Sequence, residues 1–343
     1  MLNTENRYDR QISLWLLFCA GVIFAMIILG GVTRLTHSGL SMVEWKPLMG
    51  VIPPMSEQAW QETFDKYRQF PEYQKVNRGM SLDAFKSIFM YEYLHRVLGR
   101  LIGVLFLLPL LYFAWRGRIR QGLMPKLVLL FFLGGCQGLL GWYMVKSGLI
   151  DQPHVSQYRL TAHLGLARII YCYLLWLLVD LLFPQQKSDA AGNATQKAAL
   201  FLFALVAITI VSGGFVAGLK AGFAYNTFPK MGDQWLPPAG WMLQPGWRNL
   251  FENIATVQFD HRVLATLTLV SVLWFWVYTM KRSLPATARI GVHVLVLVAI
   301  AQVALGISTL LLHVPVALGV THQAGALTLL TVSLFVIHQL RKQ

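Results

Sequence analysis

The sequence predicts an all-α membrane protein of eight transmembrane helices, built as two four-helix bundles in a parallel repeat, N-in/C-in. Three observations predict it: a shortage of charge, eight long apolar runs and an internal repeat. Of 343 residues, 56% are hydrophobic and only 13% charged, against about 25% charged in an ordinary soluble domain. Much of the surface is therefore expected to meet lipid.

A helix crosses a hydrocarbon core with about 20 apolar residues. The runs at 14–33, 88–114, 124–145, 158–183, 198–218, 256–280, 287–312 and 317–338 meet that length. If the spans alternate in direction, every basic cluster falls on one side. These are Arg7 and Arg10; Arg116, Arg118, Arg120 and Lys126; Lys187 and Lys197; Lys281, Arg282 and Arg289; and Arg341 with Lys342. Short loops rich in Lys and Arg stay in the cytoplasm. That places both termini inside and accounts for the net charge of +14 with no nucleic acid as partner. Residues 1–10 are polar and of mixed charge, and the first span carries no small-residue cleavage pattern. Neither a cleaved signal peptide nor an organellar presequence is expected, and a bacterial inner membrane fits best. Cys19, Cys136 and Cys172 all lie in apolar spans and read as small hydrophobes rather than disulfide partners.

The repeat organises the spans. Gly30-Gly31 ends the first span and Gly39 follows; Gly213-Gly214 ends the fifth and Gly222 follows, each displaced by 183 residues. Gln137 and Gly141 in span three match Gln302 and Gly306 in span seven, and Pro53-Pro54 and Pro237-Pro238 close the corresponding outer loops. A unit with an even number of spans returns the chain to its starting side, so the halves are parallel repeats about an axis along the membrane normal. The expected division is an N-terminal bundle over 1–185, a polar linker over 186–196 and a C-terminal bundle over 197–343. Small residues at the span ends would permit close helix approach.

The outer segment 34–87 is long and holds an expected surface helix near Ser56 to Gln69, N-capped by Ser56 and stopped by Pro71. Trp60, Phe64 and Tyr67 recur at spacings of four and three, giving one aromatic face. That face suits either a helix resting on headgroups or a cover over an outward-facing site.

Four histidines stand out by position. His95, His163, His261 and His322 sit in the first turns of spans two, four, six and eight, all of which enter from outside. Their rings therefore share a depth near the outer face, and the geometry pairs His95 with His163 and His261 with His322, one pair per half. Ionisable groups inside spans are costly and mark functional sites, and paired imidazoles on facing helices suit haem iron. His37, His154, His293, His313 and His338 lack repeat partners and read as structural or loop residues.

Arg96 and Arg262 each follow a candidate ligand directly, placed either to pair with haem propionates or to snorkel to the interface. Glu92 lies one helical turn before His95 on nearly the same face, where the second half has Gln258. The asymmetry points to the N-terminal half as the reactive one. There Glu92 would serve proton transfer or charge stabilisation, or else cap the helix start against its dipole. Asp260 adjoins His261 but points about 100° away from it.

These residues sit within longer motifs: Gly30-Gly31-Val32-Thr33-Arg34-Leu35-Thr36, Ser38-Gly39-Leu40-Ser41, Glu92-Tyr93-Leu94-His95-Arg96, Phe259-Asp260-His261-Arg262 and Thr321-His322-Gln323. Gly213-Gly214-Phe215-Val216-Ala217-Gly218 and Asn226-Thr227-Phe228-Pro229-Lys230-Met231 complete the set. With them the chain resembles the haem A synthase family over almost its whole length, most closely the class of Gram-negative bacteria and mitochondria. The resemblance implies an oxidoreductase of haem biosynthesis and cytochrome oxidase assembly. It would oxidise the C8 methyl group of haem O to a formyl group, giving haem A by successive hydroxylations and loss of water. It further implies His95 and His163 as ligands of the substrate haem, His261 and His322 as axial ligands of a haem b, and Glu92 as the catalytic acid. The implied partners are haem O and haem A, membrane lipid, a haem O synthase, an electron donor and a second copy of the chain, with the haem sites near the periplasmic side. Gram-positive members carry a cysteine pair in the first outer loop, and this chain has none there. The residues alone also leave two rivals: a two-haem b-type electron-transfer cytochrome, and a haem transporter or chaperone.

Overall fold

The computed structural model describes residues 4–44, 52–148, 155–183 and 192–341. Its helices in chain order are α1 (Thr4–Leu35), the short α2 (Glu57–Arg68) and α3 (Pro71–Lys75), then α4 (Leu82–Trp115), α5 (Met124–Gly148), α6 (Gln157–Leu182) and α7 (Gly192–Gly218). The single turn α8 (Asn249–Glu252) precedes α9 (Ile254–Met280), α10 (Ala286–Leu311) and α11 (Val316–Leu340). The described residues contain no strand, only an isolated bridge between Met231 and Gln234. Eight of the helices are long and apolar enough to cross a membrane, with mean hydropathy of 1.6 to 2.7 over their most apolar stretches. All eight expected spans are present.

Three of them are longer than expected, α1 by starting at Thr4 rather than near residue 14. α4 starts at Leu82 rather than near residue 88, because Ser81 caps it, accepting from the Ala84 amide at 3.2 Å. At 1.5 Å per residue its 34 residues make a rod of about 51 Å, well beyond a hydrocarbon core of about 30 Å. His95 therefore lies deep within α4 rather than in its first turns. α7 starts at Gly192, so the expected linker is helical from 192 onward. Residues 186–191, with Lys187, lie outside the described residues, as do His154 and Lys342.

The extra turns of α4 have an evident cause. Ser56 caps α2 as expected, accepting from the Ala59 amide at 3.2 Å. The aromatic face of α2 is turned onto α4: the Phe64 and Tyr67 rings stack on Phe85 with centroids 4.9 and 5.0 Å away, and Trp60 meets Phe89 edge-on at 5.1 Å. Phe64, Tyr67 and Phe85 are fully buried there. The face is thus satisfied by protein, which removes the reading of α2 as a helix resting that face on headgroups. Ion pairs between Lys66 and Glu44 and between Lys86 and Glu57 flank the cluster.

The chain gathers into two compact units, residues 18–167 and residues 1–17 with 168–343. Their borders run inside α1 and α6. In the first unit α4 packs on α5 and on α1, where Cys19 Sγ approaches the Leu105 carbonyl and Gly99 makes room for Met26. In the second, α7 packs on α9 and α11, and α10 on the same two helices. Phe275, Leu295 and Leu327 are buried in that core. The three cysteines carry no disulfide.

Candidate functional site

Each candidate histidine lies against a glycine of an adjoining helix. A Cβ added to Gly30 of α1 would come 3.0 Å from His95 Cε1, and one on Gly141 of α5 would come 2.9 Å from His163 Cε1. In the other unit, Gly213 of α7 stands at 3.2 Å from His261 Cε1 and Gly306 of α10 at 2.9 Å from His322 Cε1. The repeat that the sequence displayed in glycines is therefore also a repeat of imidazole environments. His95 and His163 are close enough to interact electrostatically, as are His261 and His322. The structure thus brings together the same two pairs that the sequence paired.

Hydrogen bonds to the rings are less symmetrical. Ser212 Oγ lies 2.8 Å from His261 Nδ1 and donates its own proton to the Thr209 carbonyl at 2.7 Å. A hydroxyl has one proton to give, so His261 Nδ1 is the donor and its Nε2 keeps a lone pair. Gln137 Nε2 lies 3.2 Å from His163 Nδ1 and donates to the His163 carbonyl at 3.1 Å. Its repeat counterpart Gln302 donates to the His322 carbonyl at 3.0 Å. Nδ1 of His95 and of His322 is buried with no hydrogen bond.

The donor set can be tested against a cofactor. Among the described residues no three His, Cys, Asp or Glu side chains gather into a metal-binding group. A haem brings four nitrogens of its own to its iron, so one pair of imidazoles would complete the donor set. In every case Cε1 is the ring atom nearest the glycine, with the nitrogens farther off. In its chemistry, a pair of buried imidazoles is a donor set that suits haem iron.

Beside each pair, the residue one turn before His95 or His261 and the arginine after it lock the loop that follows α1 or α7. Glu92 Oε2 accepts from the Ser41 amide at 2.7 Å, the Ser41 hydroxyl at 2.8 Å and the Met42 amide at 2.8 Å. Its Oε1 pairs with Arg96 at 2.6 Å, both side chains being buried. Arg96 also donates to the carbonyls of Met42 at 2.9 Å and Glu44 at 3.3 Å. In the second half Gln258 donates to the carbonyls of Ala221 and Tyr225 at 2.9 and 3.1 Å. Arg262 donates to Tyr225 at 2.8 Å, Lys230 at 3.0 Å and Gln258 Oε1 at 3.3 Å. Met42 and Tyr225 stand 183 residues apart, the same interval as the glycines. The first loop offers position 92 amides and the second offers position 258 carbonyls, so the change from carboxylate to carboxamide follows the polarity of each loop. Arg262 Nε is buried with no hydrogen bond.

The remaining histidines behave as structural residues where they are described. His293 accepts from Trp276 Nε1 at 3.0 Å. His37 and Lys220, again 183 apart, both adopt left-handed backbone where α1 and α7 end. His313 is exposed at the α10–α11 turn. His338 is buried against Asp180 at 2.8 Å, with Arg341 on the same carboxylate and Trp176 edge-on. Sequence reasoning overlooked Ser212, Asp180 and Arg341. An aspartate within an apolar span was the available signal for the second cluster; for Ser212 the signal was its place beside Gly213-Gly214.

A sequence profile described as cytochrome oxidase assembly protein matches residues 13–334. A haem A synthase of Nitrosospira multiformis is 51% identical over 99% of this chain and 97% of its own length. One of Nitrosomonas eutropha is 51% identical over 98% and 95%. The human haem A synthase is 45% identical over 97% of this chain and 83% of its own.

Proposed function

Given that the chain belongs to the cytochrome oxidase assembly protein family, we propose that its two histidine pairs divide one reaction between them. The reaction is the oxidation of haem O to haem A, and the protein is an oxidoreductase and multi-pass protein of the bacterial inner membrane. The methyl substituent becomes a formyl group through two hydroxylations of one carbon followed by loss of water from the geminal diol.

In our reading the halves are parallel four-helix bundles, with both termini inside and both histidine pairs toward the periplasmic side. His95 and His163 hold the substrate haem O in the N-terminal bundle, and His261 and His322 hold a resident haem b in the C-terminal bundle. When bound, that haem supplies one-electron redox chemistry. The single observation that carries the reading is that each pair converges within its own compact unit, each ring set against a glycine at repeat-related positions.

The N-terminal half is assigned the chemistry because it holds the carboxylate. Glu92 is proposed to hold or pass a proton at Oε1, the oxygen shared with Arg96. Four donors fix its orientation, so positioning is achieved before substrate arrives. Arg262 is proposed to contact a haem propionate through its unpaired Nε, and Arg96 stands at the corresponding place by the substrate. A haem O synthase, an electron donor and a second copy of the chain are the proposed partners.

Expression in a host that makes haem O, followed by chromatography and mass analysis of extracted haems, tests the activity. Haem A in the extract supports it. Its absence with electrons supplied and haem b loaded favours an electron-transfer cytochrome or a haem carrier. Substituting His261 or His322 by Ala should remove haem b, whereas His95→Ala and His163→Ala should spare haem b and abolish haem O binding.

A further inference from the structure

We propose that Gly30, Gly141, Gly213 and Gly306 are positioning residues, each a seat that sets the tilt and depth of one haem-ligating imidazole. The inference rests on the assignment of His95, His163, His261 and His322 as ligands and goes beyond it. The helices that carry no ligand, α1, α5, α7 and α10, provide the seats. The helices that carry the ligands, α4, α6, α9 and α11, each lay one ring into a seat.

A generic need for small residues between membrane helices does not account for this. Gly21 of α1 and Gly134, Gly135 and Gly138 of α5 would meet nothing within 4 Å if given a Cβ. The four seats would each bring a Cβ to within 2.9 to 3.2 Å of an imidazole carbon, where carbon atoms rest at about 3.5–4.0 Å. Alanine at a seat therefore displaces or tilts the ring by several tenths of an ångström. The ring meets its seat at Cε1, the carbon bonded to both nitrogens, so the seat also governs how Nε2 is presented. The rings sit among packed helices, and interiors at close-packed density transmit such a shift rather than absorb it.

Axial imidazole geometry and the environment around it tune a haem's electronic state. Glycine is also a poor helix former and alanine the best. A purely structural role for these glycines thus predicts that Gly→Ala stiffens the helix and leaves the haem alone. A seat predicts the reverse: the ligand field changes although the histidine remains.

The test uses the full-length protein with haem b bound. Gly213→Ala and Gly306→Ala should shift the low-spin electron paramagnetic signature and the midpoint potential of haem b. Gly135→Ala and Gly138→Ala should leave both as in the parent. Gly30→Ala and Gly141→Ala should keep the haem b signature, which reports a folded protein, while raising the Kd for added haem O several-fold. These two variants keep the test open where the Gly213 or Gly306 variant fails to fold. Parental signature and potential in Gly213→Ala and Gly306→Ala, or a parental Kd in Gly30→Ala and Gly141→Ala, overturn the proposal. Retention of haem b by His261→Ala and His322→Ala would instead overturn the ligand assignment, whatever the glycine variants do.

Discussion

Ser212 Oγ lies 2.8 Å from His261 Nδ1, and the position corresponding to Ser212 in the first half is Leu29. Because the Ser212 proton goes to Thr209, the ring donates to Ser212. A ligating imidazole that donates from its far nitrogen is a stronger base toward the metal and stabilises the oxidised iron. Ser212→Ala should therefore raise the midpoint potential of the C-terminal haem in a redox titration. A potential that stays put or falls would show that this contact does not tune the site.

Arg96 and Glu92 form a buried ion pair, whereas Arg262 faces the neutral Gln258. Removing one partner of a buried ion pair costs about 3–5 kcal/mol, and losing a buried neutral hydrogen-bond partner about 1–3 kcal/mol. Arg96→Ala should accordingly speed hydrogen exchange across 38–44 more than Arg262→Ala does across 225–230. Equal effects would contradict the charge argument.

Ser41 offers a way to part the two roles of Glu92. Ser41→Ala removes the hydroxyl contact with Oε2 but keeps the carboxylate, while Glu92→Gln keeps the shape and removes the charge. Turnover should fall sharply in Glu92→Gln and at most modestly in Ser41→Ala, with the haem b spectrum unchanged in both. If turnover follows the loosening of the loop equally in the two variants, Glu92 acts only as an anchor.

Phe64 is fully buried between α2 and Phe85. Phe64→Ala should weaken the docking of α2 by about 3–5 kcal/mol, read as faster proteolysis and exchange within 57–68. The haem b spectrum should not change.

Burial pushes the Tyr67 hydroxyl up to about 12, against the opposing pull of the Asn77 donor. An unfolded tyrosine titrates near 10, so the folded chain holds this proton to higher pH. The contribution to docking is complete below about pH 10 and declines as the pH climbs toward 12. Exchange within α2 should accelerate across that window in the parent, and the acceleration should be absent in Tyr67→Phe.

Much of the architecture was legible because membrane spans announce themselves by length and apolarity alone. All eight spans and the Ser56 cap were readable from length, apolarity and spacing. The start of α4 was not, since its added turns are held by Phe85 and Phe89 packing on an α2 distant in sequence, and periodicity carries no tertiary contact. The repeat glycines were visible, but their role was not: small residues read as helix–helix spacing, and only coordinates reveal that Gly30, Gly141, Gly213 and Gly306 face imidazoles while Gly134 and Gly135 face none. Sequence reading offered Arg96 and Arg262 propionates or the interface as partners; the loop carbonyls they meet depend on backbone turns that composition does not encode.

The opposite polarity of the loops after α1 and α7 limits what could be exchanged between the halves. Position 92 faces N–H groups and position 258 faces C=O groups. Transplanting the second loop onto the first half would set a carboxylate against carbonyls, whereas the first loop's amides would still find an acceptor in the Gln258 Oε1. A carboxylate is thus admissible only beside the first loop, and the backbone of each strap decides which side chain its helix can carry.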